Sequence, residues 1–102
     1  MKIVKPKRVL EYIEQYGRPA SGLMFWLGVT KKALWKNFNE LRGSFNSADL
    51  VSVGSGKKVV VFNVGGNKFR LICAVHFDRG KVYVLRFMTH AEYDGGKWKK
   101  EL

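Results

Sequence analysis

Apolar positions along the chain fall into two regimes. In the first half they recur at helical spacing. Val9, Leu10, Ile13 and Tyr16 follow Pro6, a residue tolerated in a first helical turn, and Gly17 is a stop signal; the spacing predicts a helix between them. Leu23, Phe25, Trp26, Leu27 and Leu34 predict a second helix from Pro19-Ala20-Ser21 to about Trp35, with a kink expected near Gly28-Val29-Thr30. Asn37 followed by Glu40 has the form of a capping box opening a third helix through about Ser44. In the second half the period changes to two. Leu50–Val53, Lys58–Val64, Lys68–Phe77 and Val82–Met88 read as strands, separated by Gly54-Ser55-Gly56, Gly65-Gly66-Asn67 and Asp78-Arg79-Gly80. Phe69, Leu71, Cys73, Val75 and Phe77 alternate with Lys68, Arg70, Ile72, Ala74 and His76, so the two sets face opposite sides.

Helices over about 6–44, then a sheet over about 50–88, describe an α+β fold, with two or three N-terminal helices packed on an antiparallel meander. At 102 residues the chain is the size of one domain. The residues after the last strand, 89–102, divide into a polar motif and a tail, Gly95 to Lys100, expected to be loose. No apolar run approaches the roughly 18 residues of a membrane span, and Met1–Val4 lacks the apolar stretch of a signal peptide; a cytoplasmic protein without membrane contact is the expectation.

Charge changes the picture more than composition does. Nineteen Lys and Arg oppose eight Asp and Glu, a formal net charge of +11. The excess is even, with nine bases and four acids in residues 1–51 and ten and four in 52–102. A whole domain of this charge attracts polyanions, nucleic acid first among them. Two histidines, one cysteine and scattered acids offer no metal-ligand spacing, so neither metal nor cofactor is expected. Val64-Gly65-Gly66-Asn67-Lys68 lacks the phosphate-loop pattern and joins two strands, which makes it a hairpin turn.

The residues left with chemistry to do converge on one end of the sheet. Arg70 lies in one strand and Arg86 in the last; Met88 to Asp94 follows, with His90 and Tyr93 three apart and on one side of any helical turn. Histidine passes protons near neutral pH, arginine clamps two phosphate oxygens, and tyrosine passes a proton where a cation lowers its pKa. These are the parts for RNA cleavage by internal attack of a 2′-OH, which needs no metal. Each residue also has a plainer use: Arg70 as a solvated cross-strand charge, His90 as a strand cap, Tyr93 as a rim residue packing on Trp98. Cys73, Trp26 and Trp35 fit core packing, and His76 fits the sheet.

Four stretches carry a family resemblance: Lys31-Lys32-Ala33-Leu34-Trp35-Lys36, Phe45-Asn46-Ser47-Ala48, Val61-Phe62-Asn63-Val64-Gly65-Gly66-Asn67-Lys68-Phe69-Arg70-Leu71, and Arg86-Phe87-Met88-Thr89-His90-Ala91-Glu92-Tyr93-Asp94. Over Lys31 to Asp94 the chain resembles the HigB-type toxins of the RelE/ParE superfamily. The resemblance implies helices on a curved antiparallel sheet and an mRNA interferase acting on mRNA, in many relatives at the ribosome. It implies a helix-turn-helix antitoxin as partner, with operator DNA bound only through the antitoxin complex. Carried over by position, Arg70, His90 and Tyr93 become catalytic candidates, with Asn67 and Lys68 beside them on RNA. Arg86, Lys57 and Lys58 are further cationic candidates for RNA contact. Two alternatives stay open: a non-catalytic RNA- or ribosome-binding module, and a gyrase-poisoning toxin on the same fold.

Overall fold

The computed structural model describes residues 1–102. In chain order the elements are β1 (Lys2–Val4), α1 (Lys7–Tyr16), a 3-10 turn over Arg18–Ala20, α2 (Gly22–Lys32), α3 (Phe38–Ser44), β2 (Asp49–Ser52), β3 (Lys58–Val64), β4 (Phe69–His76), β5 (Lys81–Thr89), α4 (His90–Gly95) and α5 (Lys97–Glu101). The fold is α+β, with the N-terminal helices preceding the main sheet, as the apolar pattern predicts.

Three expectations need correction. The sheet is mixed, with strand order β1-β5-β4-β3-β2. β2 to β5 form the antiparallel meander, but β1 pairs parallel with β5, Ile3 opposite Val82. A three-residue strand is too short to show a period. The second helix runs unbroken from Gly22 through Gly28 to Lys32 and stops before Leu34 and Trp35. Ala33 is extended there; Leu34 is 85% exposed while the Trp35 ring is buried, its Nε1–H donating to Ser44 Oγ. The tail is ordered: α5 buries Trp98, and the Gly54 N–H donates to Lys99 O at 2.8 Å, tying α5 to the β2–β3 turn.

Two clusters hold the sheet. On the helical side Val9, Leu23, Trp26 and Leu41 pack on Phe62, Leu71, Cys73 and Val82 of the strands. The rings of Trp26, Phe62, Phe45 and Trp35 meet edge to face in sequence, at centroid distances of 5.2–5.9 Å. On the other side Val59, Val61, Ile72 and Met88 are covered by Trp98. β4 is therefore apolar on both faces where it is central, and Ile72 is fully buried on the side that alternation assigns to solvent. A bulge marks β5: Ile72 opposes Arg86 but Cys73 opposes Val84, leaving Leu85 as an extra residue. Arg8 of α1 donates to the Val84 and Leu85 carbonyls at 3.0 and 3.2 Å, satisfying groups near the irregular ladder. No helix is long and apolar enough to cross a membrane.

Candidate active site

The site is assembled where three elements meet. The β3–β4 turn runs through Gly65, Gly66 and Asn67, all at positive φ; asparagine is among the few residues that accept this. β4 starts at Phe69, opposite Thr89, the last residue of β5. Thr89 then opens α4 directly with a capping box. Its Oγ1 accepts from the Glu92 N–H at 3.2 Å, and Glu92 Oε1 accepts from the Thr89 N–H at 3.1 Å. The His90 N–H donates to Lys68 O at 2.9 Å, so the helix is bolted to the residue preceding β4. With no linker between strand and helix, His90 and Tyr93 swing over the end of β4.

There they meet Arg70. Its guanidinium, in a residue only 7% exposed, donates through Nη1 to Asn67 O and Phe69 O, at 3.0 and 3.1 Å. Its Nη2 lies 3.2 Å from His90 Nδ1, and Cζ sits 5.5 Å from the Tyr93 ring centroid. A guanidinium only donates, so this contact uses the Nδ1 lone pair and leaves the His90 proton on Nε2. That nitrogen faces Asp94 Oδ2 at 3.5 Å, four residues on. Tyr93 is held from behind: its ring stacks on Trp98 at 5.2 Å and 20°, and Trp98 Nε1–H donates to Tyr93 O at 3.1 Å.

The electrostatics are those of an anion site. Burying a cation is costly unless it is paired. Arg70 makes no salt bridge; its partners are carbonyls, an imidazole and a ring face. Three of its five N–H donors are engaged, which leaves donors for a phosphate. Tyr93 departs from the sequence expectation. Its pKa is raised, first by burial, then by the negative charges of Asp49 and Asp94; Arg70 pulls the other way and loses. The phenol is therefore a proton donor at neutral pH.

The structure brings Arg70, His90 and Tyr93 together, with Asn67 and Lys68 joined to them through backbone carbonyls. The two lysines lie elsewhere, and Arg86 lies beside the site on the same face, two residues along β5 from Met88, which opposes Arg70. Lys57 and Lys58 line a hollow with Val53, Val75, His76 and Leu102, at the end of β3 away from Asn63, the residue that opposes Arg70. Arg86 lines a different hollow with Glu92, Lys97 and Trp98, its Nη1 donating to Leu85 O. Two acids escaped the sequence reading. Asp94 had a signal, since it stands four residues after His90 on one helix. Asp49 had none, because only the strand order brings it near Tyr93. Trp98 was visible as a large apolar residue in a basic tail. No group of three or more His, Cys, Asp or Glu is placed to hold a metal ion.

Comparison with known proteins extends the likeness beyond this site. The model of the HigB toxin family, described as the RelE-like toxic component of a toxin-antitoxin system, matches residues 20–96. The mRNA interferase toxin HigB of Escherichia coli (strain K12) is 32% identical over 94 residues, covering 92% of this chain and 88% of its own. The mRNA interferase HigB of Shigella flexneri matches to the same extent, and that of Escherichia coli O6:H1 is 29% identical over 92% of this chain. A family model spanning most of the chain, and a relative at this identity over nearly all of it, show that the chain belongs to the HigB family of RelE-like toxins.

Proposed function

We propose that this chain is the toxin of a type II toxin–antitoxin pair, an endoribonuclease that cleaves mRNA in the cytoplasm and so arrests growth. The observation that carries the reading is the buried, unneutralised Arg70 guanidinium, 3.2 Å from His90 Nδ1 and 5.5 Å from the Tyr93 ring. A scissile phosphate offers Arg70 a stronger acceptor than an imidazole does. On binding it takes the Nη2 donor and releases the Nδ1 lone pair. His90 then removes the 2′-OH proton, and Asp94 beside Nε2 steadies the imidazolium that forms. The 2′-oxygen bonds to phosphorus, Arg70 stabilises the phosphorane charge, and Tyr93 protonates the departing 5′-oxygen. A 2′,3′-cyclic phosphate and a free 5′-OH result, with no metal needed, because RNA supplies the nucleophile.

Asn67 and Lys68, on the turn beside Arg70, contact the RNA backbone. Arg86, two residues along β5 from the Met88 that opposes Arg70, adds a cation on the same face, while Lys57 and Lys58 act at a distance, through the field of a +11 domain. The cleavage takes place on translating ribosomes, and a helix-turn-helix antitoxin neutralises the toxin and links it to operator DNA. Growth and transcript 5′ ends are compared in cells producing the wild-type chain, Arg70→Ala or His90→Gln. The wild type arrests growth and creates new ends, and the variants lose about 10²–10⁴ of that cleavage while remaining folded. Full toxicity and cleavage in both variants would overturn the assignment. Growth arrest without new ends would mean a binding module, and intact messages with DNA damage would mean a gyrase poison.

A further inference from the structure

Arg70 has two cross-strand neighbours. Met88 opposes it from β5 and Asn63 from β3. Neither carries a charge, so the guanidinium keeps its own on both flanks. A carboxylate in the place of Asn63 would pair with it and cancel its pull on a phosphate, and a lysine there would repel it. An amide is neutral and still offers two donors.

Strand geometry puts that amide at the site. Asn63 alternates with Val59 and Val61, which share a cluster with Ile72, so its side chain stands on the face of Arg70. Side chains opposed in this way have Cβ atoms about 4.5–5.5 Å apart. The guanidinium reaches to Asn67 O in the β3–β4 turn, and β3 enters that turn through Asn63 and Val64, so both groups stand at one end of the sheet.

Nothing in the fold asks for an asparagine here. Val59, Val60, Val61, Phe62 and Val64 are buried, whereas Asn63 is exposed. Asparagine is depleted in strands, and this one fills no core. The hydrogen bonds that hold Arg70 run to Asn67 O, Phe69 O and His90 Nδ1, and none uses the Asn63 amide. A polar side chain set into a β-branched run without packing to justify it is the kind of local inconsistency found at functional sites.

We propose that Asn63 is a further catalytic residue: its Nδ2–H donates to a non-bridging oxygen of the scissile phosphate and shares with Arg70 the charge that builds on the phosphorane. Arg70 holds one such oxygen from β4 and Asn63 the other from β3. Asn63 transfers no proton. The 2′-oxygen bonds to phosphorus and the bond to the 5′-oxygen breaks, with the protons carried by His90 and Tyr93. The contact strengthens as its oxygen gains negative charge, so it acts on the rate more than on binding. The inference rests on the reading of the Arg70 site as RNA-cleaving.

Single-turnover cleavage of a message on programmed ribosomes is measured for the wild type, Asn63→Ala, Asn63→Gln and Asn63→Asp, with a melting curve for each. Asn63→Ala lowers the rate at saturating protein by about 10²–10³, as for one lost oxyanion donor. Its half-saturating concentration and melting temperature change little, because the side chain is exposed and the interaction belongs to the transition state. Asn63→Gln keeps the amide and recovers part of the rate. Asn63→Asp pairs with Arg70, so it melts higher than Asn63→Ala and cleaves more slowly. A further arm replaces each non-bridging oxygen of the cleaved linkage in turn by sulfur, a poor acceptor. One diastereomer slows the wild type and adds nothing to the defect of Asn63→Ala; the other slows both proteins alike. Full cleavage by Asn63→Ala, a rate loss matched by loss of folded protein, or sulfur effects as large in Asn63→Ala as in the wild type at both oxygens would overturn the proposal. With Arg70→Ala and His90→Gln inactive, those results leave the nuclease reading standing. Full cleavage by those two variants, or a message left intact by the wild type, overturns that reading and the role of Asn63 with it.

Discussion

The two faces of the sheet are built to different standards. The helical face is filled: Trp26, Phe62, Leu23, Leu41 and Leu71 are fully buried and their rings interlock. The opposite face has a smaller cluster roofed by one tryptophan, and at its end a buried guanidinium replaces hydrocarbon. β4 belongs to both, since Leu71 faces the helices and Arg70 faces the site. Neighbouring residues thus divide the labour. Close packing rewards a fully apolar environment, whereas anion capture needs a cation whose desolvation has not been answered by a carboxylate. The two requirements conflict on one surface and are compatible on opposite sides of a single strand.

Substitutions one residue apart should separate the two. Leu71→Ala is expected to cost about 2–5 kcal/mol of stability, a large share of the roughly 5–15 kcal/mol available to a domain, with loss of function following loss of fold. Chemical denaturation of Leu71→Ala beside Arg70→Ala checks this. If the two variants lose stability equally, the division between faces is wrong. Trp98→Leu should do the reverse: the roof stays apolar, but Tyr93 loses its stack and the donor to its carbonyl. The melting temperature falls by a few degrees, as an aromatic pair is worth about 0.5–1.5 kcal/mol. Cleavage falls further, up to about 10²-fold, because the misplaced group belongs to the reacting site. A loss of rate no greater than the loss of folded protein would show that Trp98 is only a roof.

The filled face could be read from the chain, the other face only in part. α1 announces itself by apolar spacing between Pro6 and Gly17, and β3 by its unbroken β-branched run. Such signals are local, set by residues a turn or a pleat apart. The meeting of Arg70 with His90 and Tyr93 was expected from their placement at one sheet end, but the burial of Arg70 depends on α4 leaving β5 without a linker. α5 carries a single apolar residue, Trp98, and becomes ordered by docking on Ile72 and Met88, which a periodicity argument cannot see. Tyr93 shows the same limit in its charge state. Arg70 is visible as a neighbouring cation, but burial and Asp49, brought close by strand order alone, reverse the direction of its shift.

The far end of the open face offers a milder contrast. Lys58 at the start of β3 lies five residues from Asn63, roughly 16 Å along the strand, and Lys57 one residue farther, both beyond the Debye length at physiological salt. Lys57→Ala with Lys58→Ala should therefore weaken RNA association less than tenfold at low salt and leave the rate of bound-substrate cleavage unchanged. Titrating binding against salt checks this, since a direct phosphate contact would lower the salt slope by about one per lysine.

The smallest expected effect is also the most specific to the site's charge arrangement. Tyr93 has its pKa raised above the ordinary 10.0 by burial, then by Asp49, so as a proton donor it remains competent until the pH passes that raised value. The alkaline limb of the single-turnover pH–rate profile should therefore lie above pH 10, and Tyr93→Phe should remove it. Asp49→Asn removes a negative charge that disfavours the phenolate, so the phenol ionises more easily and the limb moves to lower pH. The shift is modest because Asp49 is exposed and its field is screened. Added salt should shrink it further, whereas the part of the elevation due to burial should not respond. An alkaline limb that ignores Asp49→Asn but vanishes in Tyr93→Phe would leave burial as the cause and Asp49 a bystander. A limb unchanged by either variant would remove Tyr93 from the chemistry and leave it a ring on which Arg70 rests.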